Sequence, residues 1–181
     1  MKKRRNANTY GIMLIFFSVV LLVSCASSVD SARRAYDGGD YLSAAAYAIE
    51  ALAEEPGSAE AFQILSSAWQ DANAQWEQEI QRFVQSDDVW VKERALQYYG
   101  NLIRLHTMVQ EARHQSLRPQ VGALAERQDA LIREVVDIHA QSGNRLIVPV
   151  TRDEALIALK HYLRVQALDP DYMNLGRRLE Q

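Results

Sequence analysis

Gly39-Asp40-Tyr41-Leu42-Ser43-Ala44, continued by Ala48, Ala51, Leu52 and then Pro56-Gly57-Ser58-Ala59-Glu60-Ala61-Phe62, reads as the end of one helix, a whole second helix and the start of a third. Gly39 can adopt the left-handed conformation that ends a helix, and Asp40 can accept from the first amides of the next. Ala44, Ala48 and Ala51 recur at i, i+4 and i+7, which puts three small side chains on one face where a second helix can approach closely. Pro56-Gly57 interrupts the chain, and Ser58 is placed to cap the helix that follows.

Extended through Leu65, Ser66 and Trp69, this segment of about 40 residues resembles a tetratricopeptide repeat (TPR) and the first helix of the next. A weaker copy lies near the C-terminus, where Ala158, Tyr162, Val165, Leu168, Asp169 and Pro170 fall at similar offsets. That copy lacks the hairpin glycine: Asp153 and Glu154 stand at the corresponding positions, which leaves only the second helix of a repeat with Asp153 near its cap. A last short helix is expected from Asn174 to Gln181.

Between the two copies the pattern departs from the family. The helix begun at Ser58 meets no breaker before Gln85 and carries Trp69, Trp76, Ile80 and Phe83. A second long helix is expected from about Asp87 to Ser116, with Val91, Ala95, Tyr98, Leu102, Leu105, Val109 and Ala112 on its apolar face. A third runs from Pro119 to about Gln141 with Val121, Leu124, Leu131, Val135 and Ile138. Gly143 to Val150 is the one stretch with β character, and Pro149 makes it a loop or a short edge strand. The fold expected is all-α: a TPR-like stack of antiparallel helix hairpins with an atypical long-helix insert. Scarce Pro and Gly beside recurrent Ala, Leu, Glu, Gln and Arg agree with it, because these side chains lose little freedom in a helix.

Upstream of the repeat the chain changes character. Lys2, Lys3, Arg4 and Arg5 precede an apolar run of about 13 residues, Gly11 to Val23, and then Ser24, Cys25, Ala26, Ser27 and Ser28. A basic end, a short apolar core and small residues are the pattern of an export leader, and the run is short for a membrane span. Leu22-Val23-Ser24-Cys25 resembles the lipobox of bacterial lipoproteins. The resemblance implies a diacylglyceryl group on the Cys25 thiol, cleavage before Cys25, and acylation of the new amine. Stable anchoring follows, since one acyl chain holds only marginally and two or three hold firmly. Ala26 stands where an inner-membrane retention signal would resemble Asp, which by that analogy directs the protein to the outer membrane. The expected organisation is a signal peptide over 1–24, a lipidated tether over 25–30 and one helical domain over 31–181. Cys25 is the sole cysteine, so no disulfide forms within the chain.

Removing the four basic leader residues takes the formal charge from −3 to about −7. An acidic mature chain is a poor ligand for nucleic acid, whose phosphates need clustered Lys and Arg, and none is expected as a partner. His106, His114, His139 and His161 form no HExxH motif and no close pair with metal-ligand spacing. Glu111 and His114 are one turn apart, but a di-iron site needs a second such motif, and a surface ion pair is the simpler reading. Asp87-Asp88 lies between two helices and reads as a cap rather than as paired acids. With no P-loop, no GxSxG, no GxGxxG and no further cysteine, the chain is not expected to be an enzyme, nor to carry a metal or any cofactor beyond its covalent lipid.

Binding remains. The TPR resemblance implies a concave face, lined by the first helix of each repeat, that grips a peptide or another protein. Carried over by position, it puts Arg33 and Tyr36 on the inner face of the first helix, with Glu60, Gln63, Ser67 and Gln70 on that of the second repeat. Trp69, Trp76, Tyr98 and Tyr99 read as core aromatics, while the polar neighbours of Trp90 make it a candidate contact if exposed. The expectation is a lipid-anchored scaffold in the cell envelope that binds another envelope protein, within an assembly or transport complex. The alternatives are a carrier of a small apolar ligand held around Trp69, Trp76 and Tyr98, and an enzyme acting on the cell wall.

Overall fold

A computed structural model describes residues 27–146 and 151–172. Within them every regular element is helical, and the protein is all-α: α1 (Ser28–Asp37), α2 (Tyr41–Glu54), α3 (Ala59–Val84), α4 (Val89–Lys92), α5 (Ala95–Glu111), a 3₁₀ turn (Gln115–Leu117), α6 (Val121–Arg145) and α7 (Arg152–Leu168). Cys25, the leader and the expected helix 174–181 lie outside the described residues, as do residues 147–150. Within the helical domain expected over 31–181, the chain packs as two compact units, one up to Ala68 and one from Trp69, with the boundary inside α3.

In the first unit α1 begins at Ser28, three residues before the start expected at Ser31. Ser27 caps it by accepting from the Asp30 N–H (3.1 Å), so residues 28–30, expected within the tether, form the first helical turn. The turn from α1 to α2 is set by Gly39, whose φ of +76° costs glycine little. It closes on two bonds, Gly39 N–H to Tyr36 O and Asp40 N–H to Ala35 O, both 2.9 Å, the Schellman pattern. Asp40 then caps α2 by accepting from the Ser43 N–H (3.1 Å), and bonding from Ser43 holds its carboxyl below the ordinary value. Ala32, Ala44, Ala45, Ala48 and Ala51 are buried between the helices, as the alanine spacing requires. Ser58 caps α3 from the Ala61 N–H (3.3 Å), and Ala61, Ile64, Leu65 and Ala68 turn inward.

The second unit contains the long helices. α3 continues through buried Ala72, Trp76, Ile80 and Phe83. Asp88, not Asp87, caps the next helix by accepting from the Trp90 N–H (2.8 Å). The single helix expected from Asp87 to Ser116 is α4 and α5, separated by a tightened turn. Arg94, Leu96 and Gln97 donate to carbonyls three residues back (3.0–3.3 Å), while Glu93 and Arg94 keep right-handed helical angles. α5 stops at Glu111 because Arg113 takes φ +59°, with bonds from Arg113 N–H to Gln110 O and His114 N–H to Val109 O. The helix that would have aligned Glu111 with His114 therefore ends between them.

α6 runs on to Arg145, past the Gln141 expected, so the stretch from Gly143 that looked β-like begins as helix. α6 packs on α7 around Val136, Ala140, Ala158, Tyr162 and Val165. Gly143 lets the two helices close: a Cβ there would lie 3.0 Å from the Tyr162 ring. Tyr162 also donates to Asn144 Oδ1 (2.9 Å). α7 is capped by Thr151, two residues before Asp153, which lies in its first turn. Thr151 Oγ1 accepts from the Glu154 N–H (3.2 Å) and Glu154 accepts in return from the Thr151 N–H (2.9 Å), a capping box. None of the helices among the described residues is long and apolar enough to cross a membrane.

Candidate functional site

Within the first unit, α1 and the first turns of α3 border an open cleft of about 240 Å³ lined by Arg33, Tyr36, Asp37, Glu60, Gln63, Ile64 and Ser67. The spacing explains the set. Residues 33, 36 and 37 share one face of α1, and residues 60, 63, 64 and 67 share one face of α3. Five positions taken from the repeat pattern, Arg33, Tyr36, Glu60, Gln63 and Ser67, are thus brought together. Asp37 and Ile64 were missed, although each lies one helical step from a residue that was chosen. Gln70 is exposed on α3 but belongs to the second unit and is not in the lining.

The cleft has a divided chemistry. Ile64 is buried and supplies an apolar floor, while Arg33 and Glu60 form an ion pair that is about half exposed (55% and 49%). A pair in that much solvent adds little stability, so both charges remain able to exchange partners. Gln63 offers an amide, and Tyr36 and Ser67 offer hydroxyls. The volume falls below the roughly 300–1,000 Å³ of pockets that enclose drug-sized ligands. It suits one or two side chains of a larger partner whose remainder stays outside.

The aromatic residues expected as core are mostly committed to it. Trp76 and Tyr99 are buried. Tyr98 stacks on Phe83 with centroids 5.7 Å apart, and Trp69 packs on His106 at 4.2 Å. Trp90 is 41% exposed, which meets the condition set for it, yet its ring also lies against His139 (4.5 Å) and His161 (5.4 Å).

The buried histidines were not chosen from the sequence. His106 accepts from the Gln120 N–H at Nδ1 (2.9 Å), which leaves the proton on Nε2, facing Asn73 Oδ1 (2.9 Å). Burial pushes its pKa down to about 4, partly opposed by the charge of Glu77. Glu77 itself takes both terminal nitrogens of Arg127 (2.7 and 2.8 Å), and that bonding raises the guanidinium's pKa further. His139 on α6 and His161 on α7 meet Nδ1 to Nδ1 at 2.8 Å. His139 Nε2 lies 3.3 Å from Glu93 Oε2, and the other Glu93 oxygen pairs with Arg164. A signal for these residues was present: His139 falls four residues after Val135, and His161 three after Ala158, both on the apolar face of their helix. Among the described residues no group of three or more His, Cys, Asp or Glu side chains is placed to hold a metal ion.

Comparison with protein-family models, with curated proteins and with solved structures gives no match.

Proposed function

We propose that this chain is a non-catalytic, lipid-anchored adaptor of the bacterial cell envelope that binds a segment of another envelope protein in the cleft between α1 and α3. The observation that carries the reading is the convergence, on one cleft, of Arg33, Tyr36, Glu60, Gln63 and Ser67. They come from two helices separated in sequence by α2, and the repeat pattern alone assigns them to an inner helical face. A small cleft with an apolar floor, a half-exposed ion pair and several hydrogen-bonding groups favours a peptide over an enclosed small molecule. Anchoring rests on the leader and the lipobox-like Leu22-Val23-Ser24-Cys25, with the outer membrane as the destination that Ala26 suggests.

Charge inversion tests it. Arg33→Glu places two carboxylates together and removes the cation, at a cost to stability below about 1 kcal/mol because the site is exposed. Mild crosslinking and purification from detergent extracts should recover a stoichiometric envelope protein with the wild type. The recovery should fall about tenfold or more with Arg33→Glu, the loss of roughly one good contact. A wild type that purifies as a clean monomer, or equal recovery with both chains, contradicts the proposal.

A further inference from the structure

His139 and His161 are joined by a bond that can hold only one proton. Both rings are buried, and their Nδ1 atoms are 2.8 Å apart, so one nitrogen donates and the other accepts. The carboxylate of Glu93 can only accept, which puts a proton on His139 Nε2 and leaves His139 Nδ1 as the acceptor. His161 Nδ1–H is therefore the donor, and the chain is directed: His161 to His139 to Glu93, with Arg164 on the far carboxylate oxygen. It crosses three pieces of the fold, namely the α4–α5 junction, α6 and α7. The neighbouring ion pair of Lys92 Nζ with Glu134 Oε1 (2.5 Å) ties α4 to α6 and does not involve α7.

We infer that this chain is an acid-operated latch that holds α7 against α6 and releases it when both imidazoles are protonated. The first proton can enter at His161 Nε2 without disturbing the bond, because His161 then still donates to His139. The second has only His139 Nδ1 to bind. It sets N–H against N–H across 2.8 Å and gathers two imidazolium charges and the Arg164 guanidinium around the single negative charge of Glu93. Two coupled groups titrate as a pair, and release belongs to the second step. Burial lowers the pKa of both rings; for His139 the Glu93 hydrogen bond opposes this, while the charges of His161 and Arg164 add to it. The closed form therefore binds fewer protons than the open one below the ordinary imidazole value of 6.5, and acid favours opening. Opening separates α7 from the cluster of Val136 and Ala140 that it covers. The latch belongs to the second unit and does not depend on what the first unit binds.

Hydrogen exchange of the full chain in detergent tests this, with rates corrected for the pH dependence of chemical exchange. Between about pH 7.5 and pH 5 the amides of 155–168 should lose about tenfold or more of their protection in the wild type, the equivalent of one pH unit of linked protonation. Amides within 44–52 of α2, a helix of the first unit with no histidine, should lose far less. His161→Gln, which removes one of the two linked protons and the second charge, should lose clearly less of the protection of α7 over that range than the wild type. If His161→Gln does not fold, Glu93→Gln decides, since removing the one negative charge facing the pair should deepen the acid loss. Constant wild-type protection, an equal loss in His161→Gln, a parallel loss in all helices, or a Glu93→Gln profile like the wild type would each overturn the latch.

Discussion

Both ring nitrogens of His106 are committed, Nδ1 to the Gln120 N–H and Nε2 to Asn73, so a proton added to the ring must break the first of these bonds. Unfolded, the ring takes up its proton near 6.5; folded, it does so only near 4. The stability this residue contributes is complete above pH 6.5, is lost as pH falls towards 4, and changes no further below that. A separation of this size corresponds to a loss of order 3 kcal/mol. Urea unfolding at pH 7 and pH 4.5 should show the wild type losing more stability between the two than His106→Gln. His139 and His161 titrate in both proteins, so the difference isolates His106. Equal losses would mean that His106 is not held neutral. The same residue explains how Trp69 is held, since Asn73 donates to the Trp69 carbonyl (2.7 Å) and His106 packs on the indole.

At the scale of elements, two helices end in the same Schellman turn with different residues at the left-handed position, Gly39 after α1 and Arg113 after α5. A side chain there is strained, so the two substitutions should act in opposite directions. Gly39→Ala should destabilise the protein by about 1 kcal/mol, and Arg113→Gly should stabilise it by about 0.5–1 kcal/mol. Paired urea titrations measure both, and the same sign for both would contradict the reading. This contrast also explains which ends were legible. Gly39-Asp40 and Ser58 announce their turns because their residue types suit them, whereas nothing in Arg113 signals a stop, and the apolar pattern alone carries the expected helix on to Ser116. The joint at Glu93–Arg94 was invisible for a related reason. Neither residue breaks a helix, and Glu93 has its role only because His139 and Arg164, 46 and 71 residues further on, meet it in space. The cap of α7, expected near Asp153, is Thr151, and the Thr151 to Glu154 capping-box spacing identifies it in the sequence. Helical periodicity reached most of the cleft, because one face of a helix is a matter of counting. It puts His139 and His161 on apolar faces as well, but not against each other, because their pairing depends on packing between helices.

At the scale of the whole molecule, the proposed anchoring depends on the Cys25 thiol. Cys25→Ser should abolish incorporation of labelled palmitate and alter the size of the membrane-associated protein, because neither lipid transfer nor the cut before the cysteine could follow. A variant that still pellets with membranes at unchanged size would show that something other than the thiol holds it. On the proposed reading the lipid on Cys25 fixes where the cleft works, and the cleft binds the partner. Site-specific photocrosslinking in intact cells addresses that partner most directly, with the photoreactive side chain at Gln63 in the cleft and, as a control, at exposed Gln81 further along α3. The account predicts one discrete adduct from Gln63, lost when Arg33→Glu is added, and none from Gln81. The same adduct from both positions, or none from Gln63, would contradict it.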